Sequence, residues 1–455
     1  MKSLKRGNKM ILVPYPAQGH VTPMLKLASA LLNHGFEPVV VTPEFIHSRI
    51  ANQVKEISCI SIPDGLEEDT VRDFFAIEMA MENNMPLHLE RVVREFLGDV
   101  DGRVCMVVDV LASWAIDVAD KCGVQVAGFW PAMLATYRLI AAIPVMIRTG
   151  IISQTGNPKE QGAIFLPGQP VLSTEDLPWL IGTITERSSR FKFWIRTLNR
   201  LRTLRWLLVN SIPDELHDNN QQNDQLIITD GSQDYTRVFP VGPLMEDNKL
   251  ALSKNASFWA EDMSCLDWLD MQSPGSVVYV SFGSWVSPIG ERKVKNLALA
   301  LEASRRPFLW VLGSACCEGL PLGFLDRVWR QGKVVSWAPQ IRVLQHKAVG
   351  CYLTHCGWNS TMEAIQCKKR LVCYPVAGDQ FINCAYIVKV WRIGARISEF
   401  GQKEVEESLK RVVEDNEMKH TLMRLNERLV GKEARSRALA NLAAFANDIK
   451  KSFQM

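Results

Sequence analysis

The chain has 455 residues, which is too long for one hydrophobic core, so we expect two large domains. Its content of 47% hydrophobic and 22% charged residues is typical of a soluble globular protein. A formal net charge of +3 is too small to indicate a nucleic-acid-binding protein.

The N-terminus carries no clear targeting signal. A basic segment, Lys2 to Lys9, precedes an apolar stretch that is short and interrupted by prolines. We therefore expect neither a signal peptide nor a membrane span, and we predict a cytoplasmic protein.

The eleven cysteines are an odd number without regular spacing, which argues against a disulfide framework. Several lie in apolar runs, where cysteine behaves as a small core residue. Cys351, Cys356 and Cys367 lack the C-x-x-C spacing of a zinc site. We expect no bound metal.

The first predicted elements form a β-α-β unit. Met10 to Tyr15 and Pro38 to Thr42 are typical of buried strands, and Met24 to Leu32 has the periodicity of an amphipathic helix. In a parallel sheet, the loop after the first strand lies at the carboxyl edge, where ligands bind. This loop, Pro16 to Pro23, contains His20 beside a glycine, so we interpret His20 as a functional residue.

Asp109 is the second candidate, at the end of the apolar run Val104 to Val108. A carboxylate there could cap the following helix, or it could pair with a nearby base. If this strand and the first one share a sheet, His20 and Asp109 open onto the same edge. The carboxylate would then orient the imidazole and stabilise its charged form.

Apolar and aromatic residues follow at helical spacing. Trp130, Met133 and Tyr137 are of the type that usually forms core, although some of them must line a binding cleft. Phe191 to Trp206 combines cations with aromatic residues, and we interpret it as a solvated helix face above an apolar stripe.

A domain boundary is predicted after Leu244, because residues 245–262 are polar and lack sustained periodicity. We therefore predict an N-terminal domain of residues 1–244 and a linker of residues 245–262. The second domain covers residues 263–431, and residues 432–455 form a final amphipathic helix.

The second half predicts another doubly wound sheet, with buried strands at Val277 to Phe282, Phe308 to Leu312, Lys333 to Trp337 and Gly350 to Thr354. A Gly283-Ser284 pair ends the first of these strands. It would allow close approach of a phosphate, but a plain strand-to-helix turn is equally compatible. Neither G-x-G-x-x-G nor G-x-x-x-x-G-K-[ST] is present, which disfavours dinucleotide dehydrogenases and P-loop enzymes.

The segment His355 to Ile365 is predicted to be a tight turn followed by a helix. Gly357 permits the turn, and Asn359, Ser360 and Thr361 are residues that cap helices. Unpaired N–H groups and the helix dipole would favour an anion such as a phosphate. The alternative is an ordinary capped helix after a buried strand.

Two motifs resemble those of one family. The segment Trp337 to Gln380, with its W-A-P-Q start, H-C-G-W-N-S centre and D-Q end, resembles the donor-binding box of plant UDP-sugar-dependent glycosyltransferases. The N-terminal P-x-Q-G-H-x-x-P-M-L-x-L-A resembles the opening motif of the same family. The resemblance implies an α/β GT-B fold, in which two Rossmann-like, doubly wound parallel-sheet domains face each other across a cleft. It also implies that residues 432–455 return to the first domain.

The resemblance assigns a role to each residue of the box. Trp337 would stack on uracil, Ala338 would bond the base through its backbone, and Gln340 and Glu363 would bind ribose. The residues expected around the diphosphate are Ser284, His355, Gly357, Asn359 and Ser360. The residues expected around the sugar are Trp358, Asp379 and Gln380. Charge stabilisation by these groups would remove the need for a cation or another cofactor.

In the family, the histidine of the opening motif is the general base for the acceptor, which assigns this role to His20 with Asp109 as its partner. The residues expected near the acceptor are Gln18, Gly19, Trp130, Met133, Tyr137 and Trp285.

The chain departs from the family pattern at two places. Cys367 to Arg370 replaces the usual A-G-V-P turn, and Tyr374 to Val376 replaces the usual W-P-F. We expect these changes to alter the loop beside the sugar. Trp285 is also bulky for its position and could narrow the cleft.

In the family, glutamine at the position of Gln380 accompanies glucose, and arginine in place of Trp358 accompanies glucuronic acid. The resemblance therefore implies a monomeric, inverting enzyme that moves glucose from UDP-glucose to a hydroxyl or carboxyl of a small apolar plant metabolite, giving a β-glucoside. The alternatives are a UDP-sugar-binding protein that has lost turnover and an enzyme that uses another UDP-hexose.

Overall fold

A computed structural model describes residues 8–51, 56–98, 103–166, 169–211, 236–244, 258–283, 289–313 and 318–453. These residues form two compact units. The first contains the described residues of Met1–Pro144, Ser189–Phe258 and Glu433–Met455. The second contains those of Val145–Ser188 and Trp259–Lys432.

The first unit is built on a sheet in which every strand pair is parallel, with the order β3-β2-β1-β4-β5-β8-β9. Its strands are β1 (Asn8–Val13), β2 (Phe36–Pro43), β3 (Ser58–Ile62), β4 (Val104–Asp109), β5 (Gln125–Trp130), β8 (Trp206–Val209) and β9 (Arg237–Pro240). The nearly continuous apolar sequence of β1 and β4 suits strands that are covered by helices on both faces.

The second unit has its own parallel sheet, with the order β12-β11-β10-β13-β14-β15. Its strands are β10 (Val277–Ser281), β11 (Phe308–Val311), β12 (Gly332–Val335), β13 (Val349–Thr354), β14 (Arg370–Cys373) and β15 (Gly394–Arg396). A short antiparallel pair, β6 (Ala163–Ile164) and β7 (Leu172–Ser173), also belongs to this unit.

Helices connect the strands of both sheets. In chain order they are α1 (Gln18–Leu32), α2 (Glu44–Ile50), α3 (Phe74–Asn83), α4 (Met85–Gly98), α5 (Trp114–Cys122), α6 (Leu134–Ala141), α7 (Ile143–Arg148), α8 (Ile184–Leu201), α9 (Ser264–Asp270), α10 (Glu291–Ser304), α11 (Phe324–Arg327), α12 (Gln340–Gln345), α13 (Trp358–Gln366), α14 (Gln380–Ala385), α15 (Gln402–Glu414), α16 (Asn416–Val430) and α17 (Lys432–Ser452). Within the described residues, no helix combines the length and the apolar character that crossing a membrane requires.

The strand order reverses once in each sheet, between β1 and β4 and between β10 and β13. Helices on the two sides of such a reversal leave toward opposite faces of the sheet, which opens a crevice at the carboxyl edge. The prediction that these two strands share a sheet is confirmed. Strand β1 pairs with β4, in a register that runs from Lys9 opposite Val104 to Val13 opposite Val108. His20 and Asp109 therefore belong to one crevice.

The prediction of a loop around His20 is wrong. Helix α1 begins at Gln18, so His20 lies in its first turn, and Val21 N–H donates to the Ala17 carbonyl at 2.9 Å. The predicted loop ended at Pro23, which the structure places inside α1 as its sixth residue. A proline there removes one helical hydrogen bond and crowds the carbonyl four residues earlier, and burial of the apolar stripe of α1 outweighs this cost.

Helix α17 is held in the first unit by an apolar stripe, an ion pair and a hydrogen bond. Phe445 and Ile449 are buried in the core of this unit, where the Phe445 ring packs edge-on against Phe239. At the polar margin, Asp448 accepts from the indole N–H of Trp206 and from Arg237, each at 2.7 Å.

The predicted domain bounds stay a prediction. In the structure, residues 145–188 group with the second unit and residues 433–453 with the first. Residues 245–257 of the predicted linker lie outside the described residues, as do Ser284 and Trp285.

We expect Phe445→Ala to lower the free energy of unfolding by about 3 to 5 kcal/mol, because it removes a fully buried ring from a packed core. The matched control is Leu439→Ala on the same helix, where the side chain is 63% exposed and the expected change is within about 0.5 kcal/mol. Urea titration followed by circular dichroism measures both variants. Equal effects would contradict the assignment of the apolar face of α17.

Candidate functional site

His20 and Asp109 form a close pair at the crevice of the first sheet. His20 Nδ1 lies 2.8 Å from Asp109 Oδ2, and the side chains are 22% and 0% exposed, respectively. A neutral imidazole that donates from Nδ1 to a carboxylate carries its lone pair on Nε2, where it can accept a proton. The second carboxylate oxygen, Asp109 Oδ1, accepts from Leu111 N–H at 2.9 Å. Asp109 thus does both things that its sequence position allowed, since it caps the turn after β4 and also orients the histidine.

Tyr15 is a neighbour of this pair that the sequence did not single out. It follows β1, its side chain is buried, and its ring centre lies 5.1 Å from that of His20. Burial raises the pKa of the Tyr15 hydroxyl, so this group stays neutral. Its position at the end of an apolar strand had indicated only a core residue.

The predicted acceptor residues differ in their accessibility. Trp130, Met133 and Tyr137 are buried, with the Trp130 indole N–H donating to the Met133 carbonyl at 2.8 Å. Gln18 is half-buried and Gly19 is exposed, both at the start of α1. Trp194 on α8 packs against Trp130 and is only half-buried, so it is an accessible aromatic residue that the sequence reasoning had assigned to a plain helix face.

In the second unit, the His355 ring lies between Gly283 and Gly357. It packs so closely against both backbones that neither position has room for a side chain. A Cβ atom on Gly283, where φ is +79°, would meet His355 Nε2 at 2.8 Å, and one on Gly357 would meet the same atom at 2.4 Å. Burial lowers the pKa of His355 to about 4. The imidazole is therefore neutral near pH 7 and can donate one N–H to an anion without carrying a charge of its own.

The cap of α13 differs from the prediction. The N-cap is Gly357 and makes no side-chain cap, whereas Asn359 and Ser360 lie inside the first turn. Short polar residues are common at the N-cap, which is why the sequence favours Asn359 or Ser360 there. In the structure the N-cap is Gly357, because the His355 ring leaves no room for a side chain at this position. The positive end of the helix dipole of α13 therefore lies at Gly357, beside the His355 ring.

Gln340 is held in a partly buried hydrogen-bond network. Its Oε1 accepts from the hydroxyls of Tyr279 and Tyr352, at 3.1 and 3.0 Å. Its Nε2 donates to Ser360 Oγ at 3.1 Å and to Glu363 Oε2 at 2.7 Å. Both hydrogens and both lone pairs of the amide are thus used within the protein. This arrangement suits a residue that orients Glu363 better than one that itself contacts a ligand.

The predicted stacking residue, Trp337, is half-buried after β12, and Ala338 beside it is buried. The Trp337 ring lies 6.3 Å from that of Trp259, at an angle of 47°. Trp259 was assigned to the linker, where nothing in the local sequence indicated that it meets Trp337.

Asp379 and Gln380 follow the carboxyl end of β14. Asn383 Nδ2 donates to Asp379 Oδ2 at 2.8 Å, and Gln380 Oε1 accepts from the N–H groups of Val376 and Ala377 at 2.9 Å each. The side-chain oxygen of Gln380 therefore holds the preceding loop in place. The side-chain NH₂ group of Gln380 can donate to a ligand. Trp358 is buried at the start of α13.

The expectation that Cys367 to Arg370 alters the loop beside the sugar is wrong. This turn precedes β14, while Asp379 and Gln380 follow it, and a strand of four residues separates the two ends by about 13 Å. Lys369 Nζ donates to the carbonyls of His346 and Val349, at 3.1 and 2.7 Å. The cations thus brace the amino edge of the sheet, opposite the candidate site.

Comparison with known proteins gives a consistent result. The family model described as UDP-glucoronosyl and UDP-glucosyl transferase matches residues 216–431. UDP-glycosyltransferase 82A1 of Arabidopsis thaliana is 53% identical, over 97% of this chain and 98% of its own. Linamarin synthase 1 of Manihot esculenta is 30% identical, over 94% of this chain and 90% of its own.

Solved structures have a similar fold. A UDP-glucosyltransferase of Polygonum tinctorium capable of glucosylating indoxyl aligns with a TM-score of 0.79 at 24% identity, over 98% of this chain and 100% of its own. Os79 of O. sativa in complex with UDP aligns with a TM-score of 0.78 at 25% identity, over 96% of this chain and 99% of its own.

The Gln340 network leads to a prediction for UDP binding. In the double variant Tyr279→Phe/Tyr352→Phe, the Gln340 amide loses the donors that fix its orientation, and Glu363 loses a fixed partner. We expect the affinity for UDP to fall about tenfold, and the affinity for 2′-deoxy-UDP to fall less, because Glu363 would bind the ribose hydroxyls.

Isothermal titration calorimetry with both nucleotides measures this effect. The single variant Tyr279→Phe is the control, since one tyrosine hydroxyl still donates to Gln340 and the loss should be smaller. Parental affinity of the double variant for both nucleotides would rule out an orienting role for Gln340.

Proposed function

This chain belongs to the plant UDP-dependent glycosyltransferases and has their GT-B fold, and from this premise we propose that it transfers glucose from UDP-glucose to a small apolar metabolite. The acceptor group is a hydroxyl or a carboxyl, and the product is a β-glucoside. The observation that carries the proposal is the 2.8 Å contact between His20 and Asp109, which a protein that only binds UDP-sugars does not need.

In the proposed reaction, His20 Nε2 takes the proton from the acceptor hydroxyl as its oxygen attacks the anomeric carbon. The bond from this carbon to the diphosphate breaks, and UDP leaves with the electron pair. Asp109 stabilises the imidazolium that forms and keeps the ring in the required tautomer. Attack opposite the leaving group inverts the anomeric centre, which converts an α-linked donor into a β-glucoside.

The donor contacts come from the second unit. The diphosphate accepts hydrogen bonds from the first turn of α13 and from neutral His355, so charge developing on UDP is stabilised without a bound cation. Trp337 stacks on the uracil ring. Glu363 accepts from the ribose hydroxyls in the orientation that Gln340 imposes.

The choice of glucose rests on the end of the box. The amide N–H groups of Gln380 donate to hexose hydroxyl oxygens, while Asp379 accepts from hexose hydroxyl hydrogens. Trp358 stands where an arginine would favour a carboxylate-bearing sugar, which argues against UDP-glucuronic acid. For the acceptor, the Tyr15 ring beside His20 and the half-buried Trp194 on α8 favour a compact apolar molecule.

We expect His20→Ala to lower kcat by about 10² to 10⁴, which is roughly 3 to 5 kcal/mol in the barrier, because the general base is lost. Asp109→Asn should lower kcat by at least about 10², because an amide can donate to Nδ1 and favour the wrong tautomer. Initial rates of UDP release with a panel of phenolic and terpenoid acceptors measure both effects.

The control is His346→Ala. His346 also contacts a carboxylate, Asp270 at 3.2 Å, but it lies with Lys369 at the amino edge of the second sheet, opposite the candidate site, so kcat should stay at the parental value. UDP affinity should be unchanged in His20→Ala. Parental turnover in His20→Ala would refute the assignment of the base, and donor binding without UDP release on any acceptor would favour a binding protein.

The donor preference is tested with UDP-glucose, UDP-galactose and UDP-glucuronic acid side by side. We expect kcat/KM to be highest for UDP-glucose and to fall at least about tenfold for it in Gln380→Ala, since loss of hydrogen bonds to sugar hydroxyls costs on the order of 1 to 2 kcal/mol. Mass spectrometry of the products identifies the sugar that is transferred. A higher kcat/KM with another UDP-hexose would replace glucose in the proposal.

A further inference from the structure

Three cysteines converge beneath the elements that carry the candidate donor site. Cys356 lies in the turn between β13 and α13, Cys373 ends β14, and Cys384 lies in α14. Their sulfur atoms all lie within 4.8 Å of one another, and all three residues are 0% exposed. They come from three separate segments of the second unit.

The separation of the sulfurs suits a single metal ion. At a metal–sulfur distance of about 2.3 Å, sulfurs around one ion lie about 3.8 to 4.0 Å apart. The sulfurs of the observed cluster are up to about 1 Å farther apart than that spacing, so an ion that binds all three would pull their segments closer together.

The surroundings distinguish this cluster from ordinary core packing. The backbone of Cys356 has φ of 67°, a left-handed conformation in which glycine would be less strained, yet a thiol stands there. Arg396 is in register with Cys373 on the neighbouring strand β15, which places a positively charged residue next to the cluster.

The ligand set selects the class of ion. Within the described residues, the group contains sulfur only, with no histidine or carboxylate as a fourth member. Soft thiolates without a fourth ligand fit three-coordinate, thiophilic ions better than a closed tetrahedral zinc site.

We propose that Cys356, Cys373 and Cys384 form a three-coordinate site for a thiophilic metal ion of the copper(I) and cadmium class, and that its occupancy weakens donor binding. The ion would draw the His355–Gly357 turn toward α14, the helix that begins at Gln380. Asn383 already links these elements, because its Nδ2 donates to the Cys356 carbonyl at 2.9 Å. Movement of a binding group by about 1 Å is enough to reduce its contribution strongly.

The test titrates reduced protein with Cd²⁺ and records the sulfur-to-cadmium charge-transfer band, followed by UDP calorimetry with and without the ion. The variant is Cys356→Gly, which removes one ligand where the backbone suits glycine, and Cys384→Ser is a second variant. The control is Cys351→Ala, a buried cysteine on β13 outside the cluster.

We expect one ion per chain with an intense band, and at least a tenfold loss of UDP affinity when the ion is bound. Both effects should vanish in Cys356→Gly and Cys384→Ser and persist in Cys351→Ala. The proposal is overturned if the band is absent or if it is equally intense in Cys356→Gly. It is also overturned if the affinity for UDP is the same with and without the bound ion.

The ion site itself does not depend on the proposed function, whereas the loss of UDP affinity does. Protein that binds no UDP in the absence of cadmium would refute the donor assignment, and the charge-transfer titration would still decide whether the three thiols bind an ion.

Discussion

Parallel strands place all their carboxyl ends on one edge of a sheet, and a reversal of strand order opens a crevice at that edge. Both units of this protein depend on this constraint. In the first, His20 follows β1 and Asp109 ends β4. In the second, Gly283 follows β10 and His355 follows β13. Candidate residues that are far apart in sequence thus meet at the crevice of each sheet.

Burial and immediate neighbours give the two histidines different chemistry. His20 is partly exposed, and its Nδ1 lies 2.8 Å from a buried carboxylate that can stabilise positive charge on the ring during a reaction. His355 is buried between two glycines, and desolvation keeps it neutral. The first environment suits a base that must become charged during a reaction. The second suits a neutral donor that binds a diphosphate and leaves the charge stabilisation to the helix N-terminus.

Behind the residues that would touch substrates lies a layer of partly buried polar contacts. Two tyrosines fix Gln340, which in turn orients Glu363, and Asn383 holds Asp379. Buried polar groups must be satisfied, so each such contact also restricts the positions of its partners. The same helices and turns carry the three cysteines, which makes the thiol cluster a neighbour of this layer.

The sequence by itself determined the family, the two doubly wound sheets and the candidate residues after β1, β4 and β13. These features are local, because apolar runs, glycines and motif spacing specify strands, turns and helix starts within short segments. The start of α1 was missed because the apolar stripe outweighs Pro23. Only the tertiary structure decided what depends on contacts across the chain: the Tyr279–Tyr352–Gln340 network, the meeting of Trp259 with Trp337, and the place of the Cys367 to Arg370 turn at the far edge of the sheet. The cluster of Cys356 with Cys373 and Cys384 belongs here too, since their spacing along the chain follows no metal motif and only the pairing of β13 with β14 and the packing of α14 bring the sulfurs together.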